Sequence, residues 1–306
     1  MLILKNGRTT LSNFGPVLWS RNIIMGKLAV ITGATGGLGR ELTIKFWDAG
    51  YSLFLVSRRA DKLDSLSREL ADKANQSVHY STTDLSNLSQ MSLLSDLLIK
   101  KQPNVLINNA AIQGPIGPSW ENVVEEIQST IQVNLLAPIE LCRAVVPGMI
   151  ANGGGAIINI SGGGATAPRA NFTSYATAKA GLIRYSETLA EETAAYNIKV
   201  NCIAPGAMKT DMLGEILKCG AKVAGEREFS MANKVYAEGG ASMESVAELA
   251  LFLASEKSNG VSGKLVSAVW DDWAHWTEHL DELSSSDVYT LRRITGRDRG
   301  FTWGDK

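Results

Sequence analysis

The run Thr32-Gly33-Ala34-Thr35-Gly36-Gly37-Leu38-Gly39 follows a short apolar stretch, Leu28-Ala29-Val30-Ile31, and leads into Arg40-Glu41-Leu42-Thr43-Ile44-Lys45-Phe46-Trp47. Apolar run, glycine turn and amphipathic stretch, in that order, predict a buried strand, a tight turn and a helix. That unit belongs to parallel α/β architectures. The glycines allow a tight bend, close approach of a bound group to the backbone, and close packing of helix on strand. Such a turn aims backbone N–H groups at a pyrophosphate lying against the positive end of a helix dipole. Many loops are rich in glycine, so an ordinary surface turn stays open on this segment alone.

Further along the chain, Tyr175-Ala176-Thr177-Ala178-Lys179 sets a phenol and an amine four residues apart. On a helix both fall on one face, one turn apart. Asn108-Asn109-Ala110-Ala111 closes the apolar run Val105-Leu106-Ile107, and Asn134 sits inside a long helical pattern. Ala156-Ile157-Ile158-Asn159-Ile160 reads as another strand, and Pro205-Gly206 ends the run Ile198–Ala204.

Taken in order, these motifs resemble the short-chain dehydrogenase/reductase family, in its compact branch, over about residues 26–268. The resemblance implies a Rossmann-type, doubly wound parallel sheet of about seven strands and hydride transfer between a nicotinamide and a carbonyl or alcohol. It implies Tyr175 as general acid and base, with Lys179 holding the nicotinamide ribose. Asn134 would hold a water that links Lys179 to solvent. A phenol ordinarily titrates near 10, too high for a base at neutral pH, so the Lys179 ammonium is expected to lower it. The family carries a serine thirteen residues before the tyrosine; that position here is Gly162. Ser161 is the nearest replacement, re-aimed by a bulge in the glycine run 162–164. A water, a substrate hydroxyl or Ser174 are the alternatives.

The cofactor site expected from the resemblance comprises Gly33, Thr35, Gly37, Leu38, Gly39, Ser57, Arg58, Asp84, Leu85, Asn109, Ala110, Tyr175, Lys179, Pro205 and Gly206. Sites for NAD commonly end the second strand on an acid that bonds the ribose 2′-hydroxyl. Here Ser57 stands there, followed by Arg58 and Arg59. A guanidinium makes charge-assisted bonds to a 2′-phosphate, so NADP(H) is expected over NAD(H), with Arg58 as main contact and Ser57 assisting.

Strands are expected near 27–32, 51–57, 77–82, 103–108, 155–160, 197–203 and 264–268. Helices are expected near 37–49, 60–74, 88–100, 119–149, 174–195 and 243–254. Residues 1–25 read as a flexible extension, 26–268 as one dinucleotide-binding catalytic domain, 207–242 as its substrate lid and 269–306 as a Trp-rich extension. Trp270, Trp273, Trp276 and Trp303 suggest a helical tail docked by its aromatics.

The net charge of −1 gives no global basic footprint for nucleic acid. No run of eighteen apolar residues marks a membrane span, and no apolar core near the start marks a secretory signal. Three scattered cysteines, Cys142, Cys202 and Cys219, fit a reducing, cytoplasmic setting. His275-Trp276-Thr277-Glu278-His279 has the spacing of a zinc peptidase motif, but no third ligand accompanies it, so no metal is expected. The chain thus reads as an oxidoreductase acting on a small carbonyl or alcohol, a homodimer or homotetramer through the helices near 119–149 and 174–195. A catalytically impaired NADP-binding protein, or an assembly protein working through its tail, are the alternatives.

Overall fold

The computed structural model describes residues 26–70 and 75–303. The expected extension over 1–25 and the end of the expected second helix, 71–74, lie outside the described residues. Seven strands form one parallel sheet: β1 (Leu28–Thr32), β2 (Ser52–Ser57), β3 (Val78–Thr82), β4 (Val105–Asn108), β5 (Gly155–Ile160), β6 (Ile198–Ala204) and β7 (Leu265–Ser267). Their order is β3-β2-β1-β4-β5-β6-β7, the doubly wound arrangement the sequence implies. The helices are α1 (Gly37–Asp48), α2 (Ala60–Glu69), α3 (Leu88–Lys101), α4 (Val124–Ile131), α5 (Ala137–Ala151), α6 (Thr173–Thr193), α7 (Asp211–Cys219), α8 (Ala221–Ala224), α9 (Glu226–Glu238), α10 (Met243–Ala254) and α11 (Leu280–Ser285).

Successive strand side chains point to opposite faces, and both faces are covered. Ala29 and Ile31 of β1 join α1, α2 and α10 through Leu42, Phe46, Leu63 and Leu249. Val30 between them joins α3, α5 and α6 through Leu94, Leu98, Leu141 and Leu189. This is why the strands read as continuous apolar runs. Helix starts follow their caps: the side chains of Asn87, Thr210 and Ser242 accept from the N–H groups of Gln90, Leu213 and Ser245.

The long helix expected near 119–149 is α4 and α5 joined through one π-helical segment, Gln132–Leu136. The joined run of 28 residues, Val124–Ala151, is long and apolar enough to cross a membrane by length and composition. Here it is a crossover of the sheet, with Val133, Ala137, Leu141 and Val145 in the core beside β4 and β5. The lid region, where no helix is expected from the sequence, forms α7, α8 and α9. These close around Phe172, Leu213, Ile216, Ala224, Ala232 and Val235, a small core of their own.

The tail departs from the expected helix. It consists of a 3-10 helix at Trp273–Glu278, the short α11 and a 3-10 turn at Arg297–Arg299, joined by irregular chain. Only part of its aromatic set docks. Trp276 is 5% exposed and Trp273 packs beside Phe252, whereas Trp270 and Trp303 stand 84% and 73% exposed. Backbone groups do the rest of the docking. The Leu265 N–H of β7 donates to the Tyr289 carbonyl at 2.7 Å, and Lys264 Nζ donates to the carbonyls of Ser286 and Val288 at 2.7 and 3.1 Å. Tyr289 sits at φ 58, unusual for a bulky side chain, with its ring against Trp276 at 4.7 Å. Competing local hydrogen bonds from Ser284, Ser285 and Ser286 to α11 carbonyls fit its brevity.

Trp276→Ala is expected to cost about 3–5 kcal/mol of folding stability, while Trp270→Ala stays within about 0.5 kcal/mol. Urea unfolding of the two variants measures the difference.

Candidate active site

The helices after β1 and β4 leave on opposite faces, opening a crevice at the carboxyl ends of these neighbouring strands. A cavity of about 940 Å³ fills it, running from the glycine turn to Tyr175 and on to the lid. All the sequence-predicted site residues line it except Asn134.

The glycines earn their places by contact. Gly33 adopts φ +65, and a Cβ there would meet the Ala110 backbone at 2.9 Å. A Cβ on Gly39 would meet the Gly33 carbonyl oxygen at 2.0 Å, so only glycine lets α1 start so close to β1. No side chain caps the N-terminus of α1, leaving its first N–H groups directed at the cavity. Asn109 braces this turn from β4: its Nδ2 donates to the Thr32 carbonyl at 2.9 Å, and its N–H donates to Thr32 Oγ1 at 3.0 Å. This cradle fits a dinucleotide pyrophosphate.

At the far end of the cradle, Ser57 Oγ shares a 2.6 Å hydrogen bond with Thr35 Oγ1. Arg59, rather than Arg58, reaches back over the turn: its Nε donates to Thr35 Oγ1 at 3.2 Å and its Nη2 to the Thr35 carbonyl at 2.6 Å. Arg58 is exposed on the cavity rim and acts on Asp84. Burial pushes the Asp84 carboxyl up, but hydrogen bonds from Ser86 and the Arg58 charge outweigh it and hold the group below its usual range.

Tyr175 and Lys179 do share one face of α6. Lys179 is 1% exposed, and its Nζ donates to the Ile160 carbonyl at 2.8 Å. Burial pulls its ammonium down to about 8. The expected lowering of the phenol by Lys179 is not what the site shows. Burial holds Tyr175 above its ordinary value, and the cation opposing that effect is Arg169.

Asn134 is also placed differently. Its side chain is spent on the Ile112 backbone: Oδ1 accepts the N–H at 2.9 Å and Nδ2 donates to the carbonyl at 2.8 Å. The side chain thus ties the long helix to the end of β4, at its π-helical segment.

No bulge re-aims Ser161. Its N–H donates to the Ile203 carbonyl at 2.8 Å, continuing the β5–β6 ladder, and the chain turns only at Gly162. The Ser161 hydroxyl is enclosed and has no hydrogen-bond partner. A Cβ on Gly162 would lie 2.3 Å from Tyr175 Oη. The phenol therefore occupies the space that a side chain at this position would take.

Sequence reasoning missed Gln113, Arg169 and Glu228. Gln113 lines the cavity 3% exposed, with Nε2 unpartnered. Arg169 and Glu228 form an ion pair on the cavity wall. The one available signal for Arg169 was a lone cation six residues before the tyrosine. Cys142 and Cys202 are buried thiols pushed up to about 12 by burial, which suits packing rather than reactivity. His275 and His279 lie on and just beyond a 3-10 helix, so the one-above-the-other geometry of an α-helix does not form. His275 Nδ1 instead pairs with Asp272 at 2.8 Å.

Comparison with known proteins identifies the family. Residues 27–219 match the family described as short chain dehydrogenase. The chain is 31% identical to the 7alpha-hydroxysteroid dehydrogenase of Escherichia coli (strain K12) over 244 residues, 79% of this chain and 92% of that protein. It is 31% identical to the 3-oxoacyl-(acyl-carrier-protein) reductase FabG of Chlamydia muridarum over 251 residues, 80% of this chain and 97% of that one. Among solved structures, the L-sorbose reductase of Gluconobacter frateurii, complexed with NADPH and L-sorbose, superposes with a TM-score of 0.70 at 31% identity. The match covers 80% of this chain and 95% of that one.

The buried lysine gives a pH signature. Between about pH 8, its folded value, and 10.5, its ordinary value, the unfolded chain binds a proton at Lys179 that the folded chain does not. Stability conferred by this group therefore rises with pH across that window. Wild type is expected to gain on Lys179→Met by up to about 1.4 kcal/mol per pH unit there, measured by urea unfolding at two pH values inside the window.

Proposed function

The chain belongs to the short-chain dehydrogenase/reductase family and is an oxidoreductase of that family; from that premise we propose that it transfers hydride between NADP(H) and a carbonyl or alcohol, with Tyr175 as the proton-transferring group. The observation that carries the proposal is the continuity of one cavity from the uncapped N-terminus of α1, past Arg58 and Arg59, to Tyr175 and Lys179. When bound, the nicotinamide supplies or receives the hydride.

This chain's residues do the rest. The Gly33–Gly39 turn would hold the pyrophosphate against backbone N–H groups. Ser57, Arg58 and Arg59 form a hydroxyl and guanidinium cluster for a ribose 2′-phosphate, and no acid stands at the end of β2 to repel it. Asp84 and Leu85 would border the adenine of a bound dinucleotide, and Pro205 and Gly206 its nicotinamide, all four lining the same cavity. Lys179, fixed by the Ile160 carbonyl, would hold the nicotinamide ribose and pass protons toward Tyr175. In reduction the Tyr175 phenol gives its proton to the substrate oxygen; in oxidation it takes one back. Residues 207–242 serve as the substrate lid, and the exposed Val124, Leu136 and Ile150 on the long helix support a homo-oligomer.

A second reading, an NADP-binding protein with impaired catalysis, is favoured by one observation: residue 162 offers no hydroxyl and its space holds the phenol. Loss of one preorganised donor costs roughly 10²–10³ in rate, which slows an enzyme without abolishing it.

The test is kcat/KM with NADPH and NADH over a carbonyl panel. NADPH is expected to be preferred, and Arg58→Ala and Arg59→Ala each to lose about 10- to 100-fold with NADPH and little with NADH. Tyr175→Phe is expected to lose at least about 10²-fold in turnover, and Ser161→Ala less. Preference for NADH overturns the cofactor assignment. NADPH binding with no turnover across the panel overturns the enzyme reading in favour of the impaired one.

A further inference from the structure

Arg169 is a cation nearly withdrawn from water beside the reactive phenol. It lies on the loop between β5 and α6, its side chain 11% exposed. Its Nε and Nη2 both donate to Oε2 of Glu228 on α9, at 3.0 and 2.8 Å, and the Glu228 side chain is 14% exposed. The guanidinium carbon lies 3.9 Å from the centre of the Phe172 ring and 5.7 Å from that of Tyr175. It also roofs the turn that stands where a hydroxyl is missing. A Cβ on Gly163 would touch the guanidinium at 3.9 Å, and one on Gly164 would approach Arg169 Cβ to 2.9 Å.

A half-dry ion pair is a poor way to hold a lid. Desolvation cancels much of its attraction, and apolar residues of the same volume often hold as well. Here α9 already docks through Ala232 and Val235 in an apolar cluster. What the pair does supply is a fixed field in a site poor in water, where a charge acts strongly on its neighbours. The charged groups around the phenol are few. Lys179 faces it from α6 and Arg169 from the loop, with Glu228 behind Arg169 on α9. Asp211, Glu215 and Arg227 line the same cavity from the lid.

We propose that Arg169 is a positioning residue for the Tyr175 phenol: clamped by Glu228 of the lid, it sets how readily the phenol ionises, and docking of α9 thereby governs the tyrosine's strength as an acid. In a site with glycine at residue 162, a charge on the lid side takes up the electrostatic work of the absent hydroxyl. The proposal rests on the reading of Tyr175 as the proton-transferring group. Its first readout needs no turnover.

Phenolate absorbance after a stopped-flow pH jump, taken as the difference between each protein and the same protein carrying Tyr175→Phe, isolates the ionisation of Tyr175. Arg169→Met removes the cation and is expected to move the midpoint up by about one pH unit; Arg169→Lys is expected to restore most of it. Glu228→Gln leaves the guanidinium unneutralised and is expected to move the midpoint down. The pH profile of NADPH-dependent turnover should follow with the same two signs. A merely structural ion pair predicts that Arg169→Met and Glu228→Gln act alike, and a shift of both in one direction, or of neither, overturns the proposal. If Arg169→Met melts below assay temperature, the sign in Glu228→Gln decides alone. Opposite shifts in the titration with no turnover on any substrate would leave the inference standing and defeat the enzyme reading.

Discussion

The chain leaves β1 and β4 toward opposite faces of the sheet, so the carboxyl ends of two neighbouring strands have only a glycine turn between them and the cavity. That turn exists because α1 begins within van der Waals reach of β1, where a Cβ at residue 39 would collide with the Gly33 carbonyl. Thr32 and Asn109 then stitch the two diverging strands together at their tips. The stitching fixes where the first N–H groups of α1 point. It also fixes the start of the chain that carries Ile112, and through Ile112 the position of Asn134 and the long helix. The binding face is the same set of contacts that lets the sheet change direction.

Polar groups run deep into this fold. Asn108 donates to Asn159, which donates to Ser186, whose hydroxyl closes on the Leu182 carbonyl. Each member is buried, and each is costly unless paired. Together they lock α6 against β4 and β5, directly below Tyr175 and Lys179. A phenol and an ammonium kept out of water need a scaffold that does not let them relax, and this buried hydrogen-bonded chain supplies one, although Asn108 Oδ1 itself has no partner. Lys179 illustrates the tension: the burial that brings its Nζ onto the Ile160 carbonyl is also what makes its charge expensive to keep.

Most of the frame was readable from the sequence. Strands of a parallel sheet covered on both faces are unbroken apolar runs, and their turns carry glycine or proline, so all seven strands were found within two residues. The glycine turn and the Tyr175–Lys179 pair are local patterns and were equally visible. What escaped depends on residues far apart in the chain. Arg169 meets Glu228 across 59 positions, and the Asn134 amide meets Ile112 across 22. The lid helices are short and broken by Gly220 and Gly225, and the apolar cluster they close includes Phe172 from outside the lid. The tail failed as a helix because its serines and its pairing with β7 compete for the same backbone. That Arg59 folds back onto Thr35 while Arg58 stands exposed on the rim depends on the direction of two adjacent side chains, which sequence order does not encode.

The docking of Tyr289 on Leu265 has a consequence for symmetry. A sheet whose last strand is free can continue into a second copy across a two-fold axis, doubling its width. In this chain the outward N–H of that strand is already taken by the chain's own carbonyl, and the turn that brings it there is wedged by an indole. With the tail seated, a second copy cannot lengthen the sheet by pairing on the β7 edge at Leu265, because the chain caps that edge itself.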